Sequence, residues 1–225
     1  MDLQLSGRVA LVVGGEGLIG SAVVSQLREE AATVVVASRR TTEGVVIDAR
    51  DDQSVRAGVA AVLAEHGRID ALVVTAAPSA QTLDPARSSD PAQVLDAFDA
   101  KALVFLRLAN AVIPTMRDAG YGRIVAVSGQ NAWLTGSITG SVRNAATIVI
   151  AKNLADSLAG TGVAVNAVNP GIVRPDPATE VQPGSGGQSS PQQIADLITF
   201  LASPICAISG ESIAIGHRVR GVTLL

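Results

Sequence analysis

Short runs of aliphatic residues alternate along this chain with longer stretches in which apolar and polar residues recur every three to four positions. Continuous aliphatic runs, such as Val9–Val13, are typical of parallel strands that are buried on both faces, and the longer stretches are typical of amphipathic helices. The pattern predicts strands over residues 8–13, 33–38, 44–48, 70–76, 123–128, 163–168 and 211–215. It predicts helices over residues 18–30, 52–66, 92–118, 138–159 and 191–202.

This alternation of strands and helices predicts an α/β architecture, because parallel strands need right-handed crossovers that helices supply. We expect a doubly wound Rossmann fold: a single, mostly parallel, seven-stranded sheet with helices on both faces. Two segments are predicted loops, Pro78 to Pro91 and Gly171 to Pro191, and the second is rich in Gly and Ser, a composition that indicates flexibility. Neither segment is long enough for a linker, so one domain over residues 1–225 is predicted.

Composition and charge restrict the possible partners. With 48% hydrophobic and 16% charged residues and a net charge of −3, the chain has no basic footprint for nucleic acid. Its apolar runs are far shorter than the ~20 residues of a membrane-spanning helix, and its first residues do not resemble a signal peptide. The single cysteine, Cys206, excludes an internal disulfide, so a cytoplasmic location is expected. No metal site is predicted.

A glycine-rich turn follows the first predicted strand, with the sequence Gly-Gly-Glu-Gly-Leu-Ile-Gly at residues 14–20. Between a strand and a helix at the carboxyl edge of a parallel sheet, such a turn directs helix-terminal N–H groups at a phosphate. We expect Gly14 to make the tight turn, Gly17 to let the backbone approach a pyrophosphate, Ile19 to contribute to the same site, and Gly20 to allow close packing of helix on strand. The alternative is a turn that serves packing alone.

The end of the second predicted strand carries Ser38-Arg39-Arg40, without the acid that reads the ribose of NAD. Two adjacent arginines at this position favour NADP, whose extra phosphate they can bind. Glu16, in the glycine turn, counts against a phosphate nearby. A pair of solvated arginines on a loop is the alternative.

Six segments, in the expected order, make the chain resemble the short-chain dehydrogenase/reductase family. They are residues 14–20, 48–49, 70–77, 122–128, 163–171 and 208–213, of which Val163–Gly171 carries the most specific pattern. The resemblance implies that Asp48 and Ala49 flank the adenine of a dinucleotide. It further implies cofactor contacts at Ala76, Pro170 and Gly171.

The family's four catalytic residues are not found at the corresponding positions of this chain. Lys101 stands at the position of the family's helix asparagine, Gly129 at that of its serine, Gly140 at that of its tyrosine and Asn144 at that of its lysine. The chain has one tyrosine, Tyr121, which precedes the fifth strand. At about 3.3 Å per residue, that strand holds Tyr121 roughly 20 Å from the carboxyl edge, where a substrate would bind.

Two functions therefore remain open. The first is a non-catalytic scaffold or nucleotide-binding subunit, in a homo-dimer, a homo-tetramer or a hetero-oligomer with an active relative, assembled through helices 92–118 and 138–159. The alternative is a divergent NADP-dependent oxidoreductase, of the carbonyl reductase or alcohol dehydrogenase type, that uses Lys101 or Ser128. Lys101 could instead reach solvent or pair with an acid such as Asp99. Further candidates near the same edge are Gln130, Asn131, Thr139, Ser141 and Arg143.

Overall fold

The computed structural model of the protein describes residues 2–78 and 82–223, and the part of the predicted loop at 79–81 lies outside these ranges. The seven strands that it shows are β1 (Val9–Val13), β2 (Thr33–Ser38), β3 (Val45–Val46), β4 (Ala71–Val74), β5 (Gly122–Val127), β6 (Val163–Pro170) and β7 (Ser212–Ile215). The helices are α1 (Leu18–Glu29), α2 (Asp52–His66), α3 (Pro91–Phe98), α4 (Val104–Asp118), α5 (Ile138–Ser157) and α6 (Pro191–Ala202).

All seven strands form one sheet in the order β3-β2-β1-β4-β5-β6-β7. Every neighbouring pair is parallel, and in the centre Leu11 of β1 lies opposite Val35 of β2 and Leu72 of β4. The chain winds outward from β1 in one direction and from β4 in the other, so the strand order reverses between these two strands. The doubly wound Rossmann fold predicted from the sequence is confirmed.

Two apolar cores cover the two faces of the sheet. One core packs residues of α1 and α6, such as Leu27 and Ile198, against β1, β4 and β5. The other packs residues of α2, α4 and α5, such as Val59 and Leu108, against the opposite face. Because each strand is covered on both sides, its side chains are apolar in both directions, which accounts for the continuous aliphatic runs in the sequence.

The predicted helix 92–118 is interrupted in the middle. Between α3 and α4, residues Asp99–Leu103 form a turn of π-helix, which is one residue wider than an α-helical turn. Pro114 lies inside α4 without ending it. The other boundaries agree with the predictions within a few residues; the largest differences are β3 and β4, which are shorter than predicted, and β6, which extends to Pro170.

The predicted loop from Gly171 to Pro191 lies against the end of the chain. Gly187 N–H donates to the carbonyl of His217 at 2.7 Å, and Gly184 N–H donates to that of Arg220 at 2.9 Å. A short parallel bridge between Val173 and Ser189 closes the base of the loop. The loop and residues 215–220 therefore form one hydrogen-bonded unit next to the carboxyl ends of β6 and β7.

Within the described residues, no helix combines the length and the apolar character that crossing a membrane requires. The same residues contain no group of three or more His, Cys, Asp or Glu side chains that could hold a metal ion. Cys206 is buried as a free thiol.

Candidate functional site

The turn between β1 and α1 depends on two glycines. Gly14 has a φ of +88°, and a Cβ at this position would lie 2.7 Å from the backbone nitrogen of Ala76. A Cβ on Gly20 would lie 2.1 Å from the carbonyl oxygen of Gly14. Both distances are far below van der Waals contact, so only glycine lets the chain turn here and lets α1 approach the turn this closely. The roles predicted for Gly14 and Gly20 agree with this packing.

The N-terminus of α1 opens at the carboxyl edge of the sheet. Gly17 is the N-cap residue, and no side chain caps the first N–H groups of the helix. These groups carry the positive end of the helix dipole and lack intrahelical partners. The arrangement is suited to a phosphate group, as in other folds of this type.

A cavity of about 470 Å³ adjoins this helix terminus, beside the point where the strand order reverses. Seven residues that the sequence predicts as cofactor contacts line it: Gly14, Gly17, Ser38, Arg39, Asp48, Ala49 and Ala76. Sequence reasoning did not assign the lining residues Ile47, Arg50, Thr75, Pro78, Ala100 and Val104. The sequence could have indicated these residues only by their positions, because each follows or faces the end of a predicted strand.

The other predicted contacts lie outside the lining of this cavity. Ile19 and Gly20 are in the first turn of α1, behind the glycine loop, and Arg40 is exposed beside Arg39. Pro170 ends β6, and Gly171 packs on the loop that follows, where a Cβ would meet the carbonyl oxygen of Gly187 at 2.3 Å. The structure thus brings together most of the predicted cofactor contacts in one cavity and places Pro170 and Gly171 outside it.

Acidic and basic side chains lie next to each other at the end of β2. The Ser38 hydroxyl donates to a carboxylate oxygen of Glu16 at 2.5 Å, and the side chains of Arg39 and Arg40 are exposed beside this pair. Two guanidinium groups and one carboxylate leave an excess of one positive charge around the rim. A ribose phosphate could be bound there by the arginines, while Glu16 would oppose it.

Lys101 lies in the π-helical turn and is buried, with 7% of its surface exposed. Its Nζ donates to the backbone carbonyl of Ser128, just beyond β5, at 2.9 Å. The Ser128 hydroxyl in turn donates to the carbonyl of Asn144 at 2.9 Å. Three elements are thereby joined at the carboxyl edge of the sheet: the π-helical turn, the end of β5 and α5.

The expectation that Lys101 could reach solvent or pair with Asp99 is wrong. Residues two positions apart do not face each other on a helix, and Asp99 instead forms ion pairs of 2.8 Å with Arg50 and with Arg107. Burial, and to a smaller extent the neighbouring positive charge of Arg143, together lower the pKa of Lys101 from its ordinary value to about 7.

Gly129 and Gly140, two of the positions that the sequence aligns with family catalytic residues, both lie next to Asn144. The Asn144 side-chain nitrogen donates to the carbonyl of Gly140 at 2.8 Å. A Cβ on Gly129 would lie 3.2 Å from Asn144 Oδ1, an oxygen that is buried without a hydrogen-bond partner among the described residues. Asn144 therefore keeps one buried acceptor unused by the described residues, and the absence of a side chain at Gly129 allows the close packing around it.

Arg143, the neighbour of Asn144 on α5, is 4% exposed. One of its terminal nitrogens donates to the carbonyl of Pro78 at 3.1 Å, and burial lowers its pKa from the ordinary value. Gln130, also buried, donates to the carbonyls of Ile215 and His217 and so holds the C-terminal segment. Thr139 donates to the carbonyl of Ser88.

The remaining candidates have structural contacts. The Ser141 hydroxyl donates to the carbonyls of Leu134 and Ser137. Asn131 lies in the short turn after β5, within reach of Gly140. Tyr121 is at the opposite edge of the sheet, just before β5, between the guanidinium groups of Arg8 and Arg123 at 4.3 and 4.6 Å. Its phenol cannot contact a ligand at the carboxyl edge.

The fold defines a protein of the Rossmann class, and its cavity lies at the strand-order reversal where such folds commonly bind ligands. A family model described as short chain dehydrogenase matches residues 8–185. The chain therefore belongs to the short chain dehydrogenase family.

Curated relatives match over nearly the full length. The chain is 28% identical to the 3-oxoacyl-(acyl-carrier-protein) reductase FabG of Vibrio cholerae, with 94% of this chain and 96% of FabG covered. It is 31% identical to subunit BbsC of a hydroxy(phenyl)methylsuccinyl-CoA dehydrogenase of Thauera aromatica, with 90% of each chain covered. The crystal structure of gox2181 superposes with a TM-score of 0.81 at 24% identity, covering 95% of this chain and 96% of that one, which supports the fold.

The lowered pKa of Lys101 can be measured by NMR, because the chain has only two lysines, Lys101 and Lys152. With lysine labelled at Cε, we expect one resonance to titrate with a midpoint near pH 7, since burial disfavours the charged form. Substitution Lys152→Arg removes the other resonance and identifies the signal.

The same shift has a consequence for stability. At pH values between about 7, the folded pKa, and 10.5, the ordinary value, residue 101 binds more protons in the unfolded chain than in the folded one. The contribution of Lys101 to the free energy of unfolding therefore rises with pH in this range. The Lys101→Met variant lacks this contribution, which gives a second readout by urea denaturation. If neither lysine resonance has a titration midpoint between pH 6 and 8, the lowered pKa of Lys101 is contradicted.

Proposed function

We propose that the protein is a divergent NADP-dependent oxidoreductase of the short chain dehydrogenase family, acting on a carbonyl or alcohol group. The observation that carries this proposal is the cavity at the glycine turn, where seven residues predicted to contact a dinucleotide line one surface. The full-length similarity to a reductase and to a dehydrogenase subunit supports the same reading.

The residues present fit the adenosine and pyrophosphate parts of such a cofactor. Gly14 packs closely on Ala76 and has no side chain, so its backbone is left uncovered. The uncapped helix terminus at Gly17 adds N–H donors. Asp48 and Ala49 would flank the adenine, and Arg39 and Arg40 would bind the 2′-phosphate. When bound, a nicotinamide dinucleotide supplies or accepts the hydride.

In this proposal Lys101 replaces the missing tyrosine as the source of a proton or of positive charge. It is fixed by its bond to the Ser128 carbonyl, next to Gly129 at the carboxyl edge of the sheet. A lysine whose pKa is about 7 can hold or release a proton at neutral pH, which an ordinary lysine does poorly. The Ser128 hydroxyl already donates to Asn144, so Ser128 supports the position of α5.

A second candidate is the non-catalytic subunit. The observation that favours it is that glycine occupies position 140, where the family has its proton-donating tyrosine, so no phenol is available there. The relative from Thauera aromatica is itself one subunit of a dehydrogenase. The full-length match to the reductase FabG favours the oxidoreductase, and turnover decides between the two.

Cofactor preference gives the first test. Fluorescence titration is expected to show tighter binding of NADPH than of NADH, and the double variant Arg39→Ser, Arg40→Ser is expected to lose about tenfold or more in NADPH affinity with little change for NADH. The variant Arg56→Ser, on the exposed side of α2, removes a charge elsewhere and serves as the control. Equal weakening of both cofactors would contradict a role in 2′-phosphate recognition.

Turnover gives the second test. If the protein reduces a carbonyl substrate with NADPH, Lys101→Met is expected to lower kcat by about 10² to 10⁴, the usual effect of losing a positioned general acid, with NADPH affinity retained. Lys152→Met, at the exposed lysine of α5, is the matched control and should keep full activity. NADPH binding without turnover by the unaltered protein, across a carbonyl panel, would establish the non-catalytic subunit instead.

An oligomer is a further part of the proposal. Large apolar side chains of α3 and α5 are exposed, with Leu95 66% and Val149 58% accessible. Exposed apolar groups on these neighbouring helices suit a contact between subunits, in a homo-oligomer or with an active relative.

Light scattering after size exclusion tests this contact. The purified chain is expected to run as a dimer or larger species, and Val149→Glu is expected to shift it toward the monomer, because a charge on an apolar interface is costly to bury. Val46→Glu, at another exposed valine on the edge strand β3, is the control. A monomer at micromolar concentration, without a partner chain, would exclude the homo-oligomer.

A further inference from the structure

Two buried cations lie together at the carboxyl edge, and no buried acid among residues 2–78 and 82–223 pairs with either of them. Lys101 and Arg143 are 7% and 4% exposed, and neither forms an ion pair within the described residues. They are close enough for the charge of Arg143 to act on Lys101. Burying one uncompensated charge is costly, and burying two that repel is more so.

The acidic residues nearby are committed elsewhere. Asp99, two positions before Lys101, pairs with Arg50 and Arg107, and Asp96 pairs with Arg50 at 2.8 Å. Around Lys101 the groups in contact are neutral: the Ser128 carbonyl and, beyond it, Asn144. The unbalanced positive charge therefore lies between the π-helical turn, which carries Lys101, and α5, which carries Arg143.

Arg143 also has unused hydrogen-bonding capacity. Of its donors, Nη1 binds the Pro78 carbonyl, whereas Nε is buried without a partner among the described residues. A buried guanidinium N–H left unpaired costs free energy that a ligand oxygen can recover. Both observations, the unbalanced charge and the unpaired donor, call for an acceptor that carries negative charge.

Space for such a group adjoins Arg143. A cavity of about 270 Å³ is lined by Pro78, Arg87, Gln93, Asp96, Ala97 and Arg143, among other residues. Pro78 also lines the larger cavity at the glycine turn, so the two spaces share a wall. Ala97 lies one helical turn before Lys101. Arg87 pairs with Asp90, and Asp96 with Arg50, which leaves Arg143 as the unpaired charge of the lining.

We infer that this smaller cavity binds the carboxylate group of a small organic acid, with Arg143 as the direct ligand and Lys101 as a second positive charge behind it. The volume suits a group of a few heavy atoms, and a guanidinium matches the geometry of a carboxylate. The inference rests on the proposed function and narrows its substrate to a carbonyl or hydroxy compound that bears a carboxylate near the reacting carbon.

A bound carboxylate would also change Lys101. Its negative charge offsets that of Arg143, so the ammonium form of Lys101 is favoured when the anion is present. At neutral pH, where Lys101 is only partly protonated, the bound acid would increase the fraction that carries the proton to be donated. The selectivity for acids and the activation of Lys101 would then arise from one contact.

The test uses the lysine resonances of the whole protein without dinucleotide, with sodium propionate as the probe. We expect propionate to raise the pKa of Lys101 in a saturable manner, and propionamide, the neutral molecule of the same shape, to leave it unchanged. Sodium chloride at equal ionic strength controls for screening. Because no cofactor or turnover is involved, the result is independent of whether the protein proves to be an oxidoreductase.

Variants identify the residue that binds. Arg143→Gln is expected to weaken propionate binding by about tenfold or more, the usual cost of losing a charged hydrogen-bond donor, and Arg143→Lys to retain part of it. Arg117→Gln, exposed near the end of α4, makes the same change of charge and should bind normally. An equal effect of chloride or propionamide, or unchanged binding in a folded Arg143→Gln variant, would overturn the inference.

Discussion

The close contact of Gly20 with the carbonyl of Gly14 is the constraint on which the candidate site depends. It brings α1 directly onto the turn after β1, at the place where the strand order reverses. The helix terminus and the ends of β2 and β4 then surround one cavity. A side chain at either glycine would separate the helix from the sheet and remove the surface that a pyrophosphate would contact.

Much of this arrangement could be predicted from the sequence because it depends on local patterns. Buried parallel strands have to be aliphatic on both faces, so Val9–Val13 could be recognised from its residues alone. The glycine turn has a fixed position between strand and helix, and the family resemblance predicts Asp48 and Ala76, which line the same cavity. Pro170 and Gly171 were placed by family resemblance, and in this chain the loop after β6 packs on Gly171.

The surroundings of Lys101 could not be predicted, because they depend on tertiary contacts. Asp99 is two positions away in sequence, but side chains two positions apart point to different sides of a helix. Arg50, about 50 positions away, takes the carboxylate instead. Sequence spacing specifies which residues share a regular helical face, but it does not reveal a widened turn or an arginine supplied by a distant loop.

The position of Trp133 has a practical consequence. This chain has a single tryptophan, which lies in the short turn after β5, and the guanidinium of Arg218 sits over its ring at 5.3 Å. The C-terminal segment that carries Arg218 is hydrogen-bonded to the loop after β6. Intrinsic fluorescence of the indole would therefore report directly on the unit that the C-terminal segment forms with the loop after β6, with no label and no competing tryptophan elsewhere in the chain.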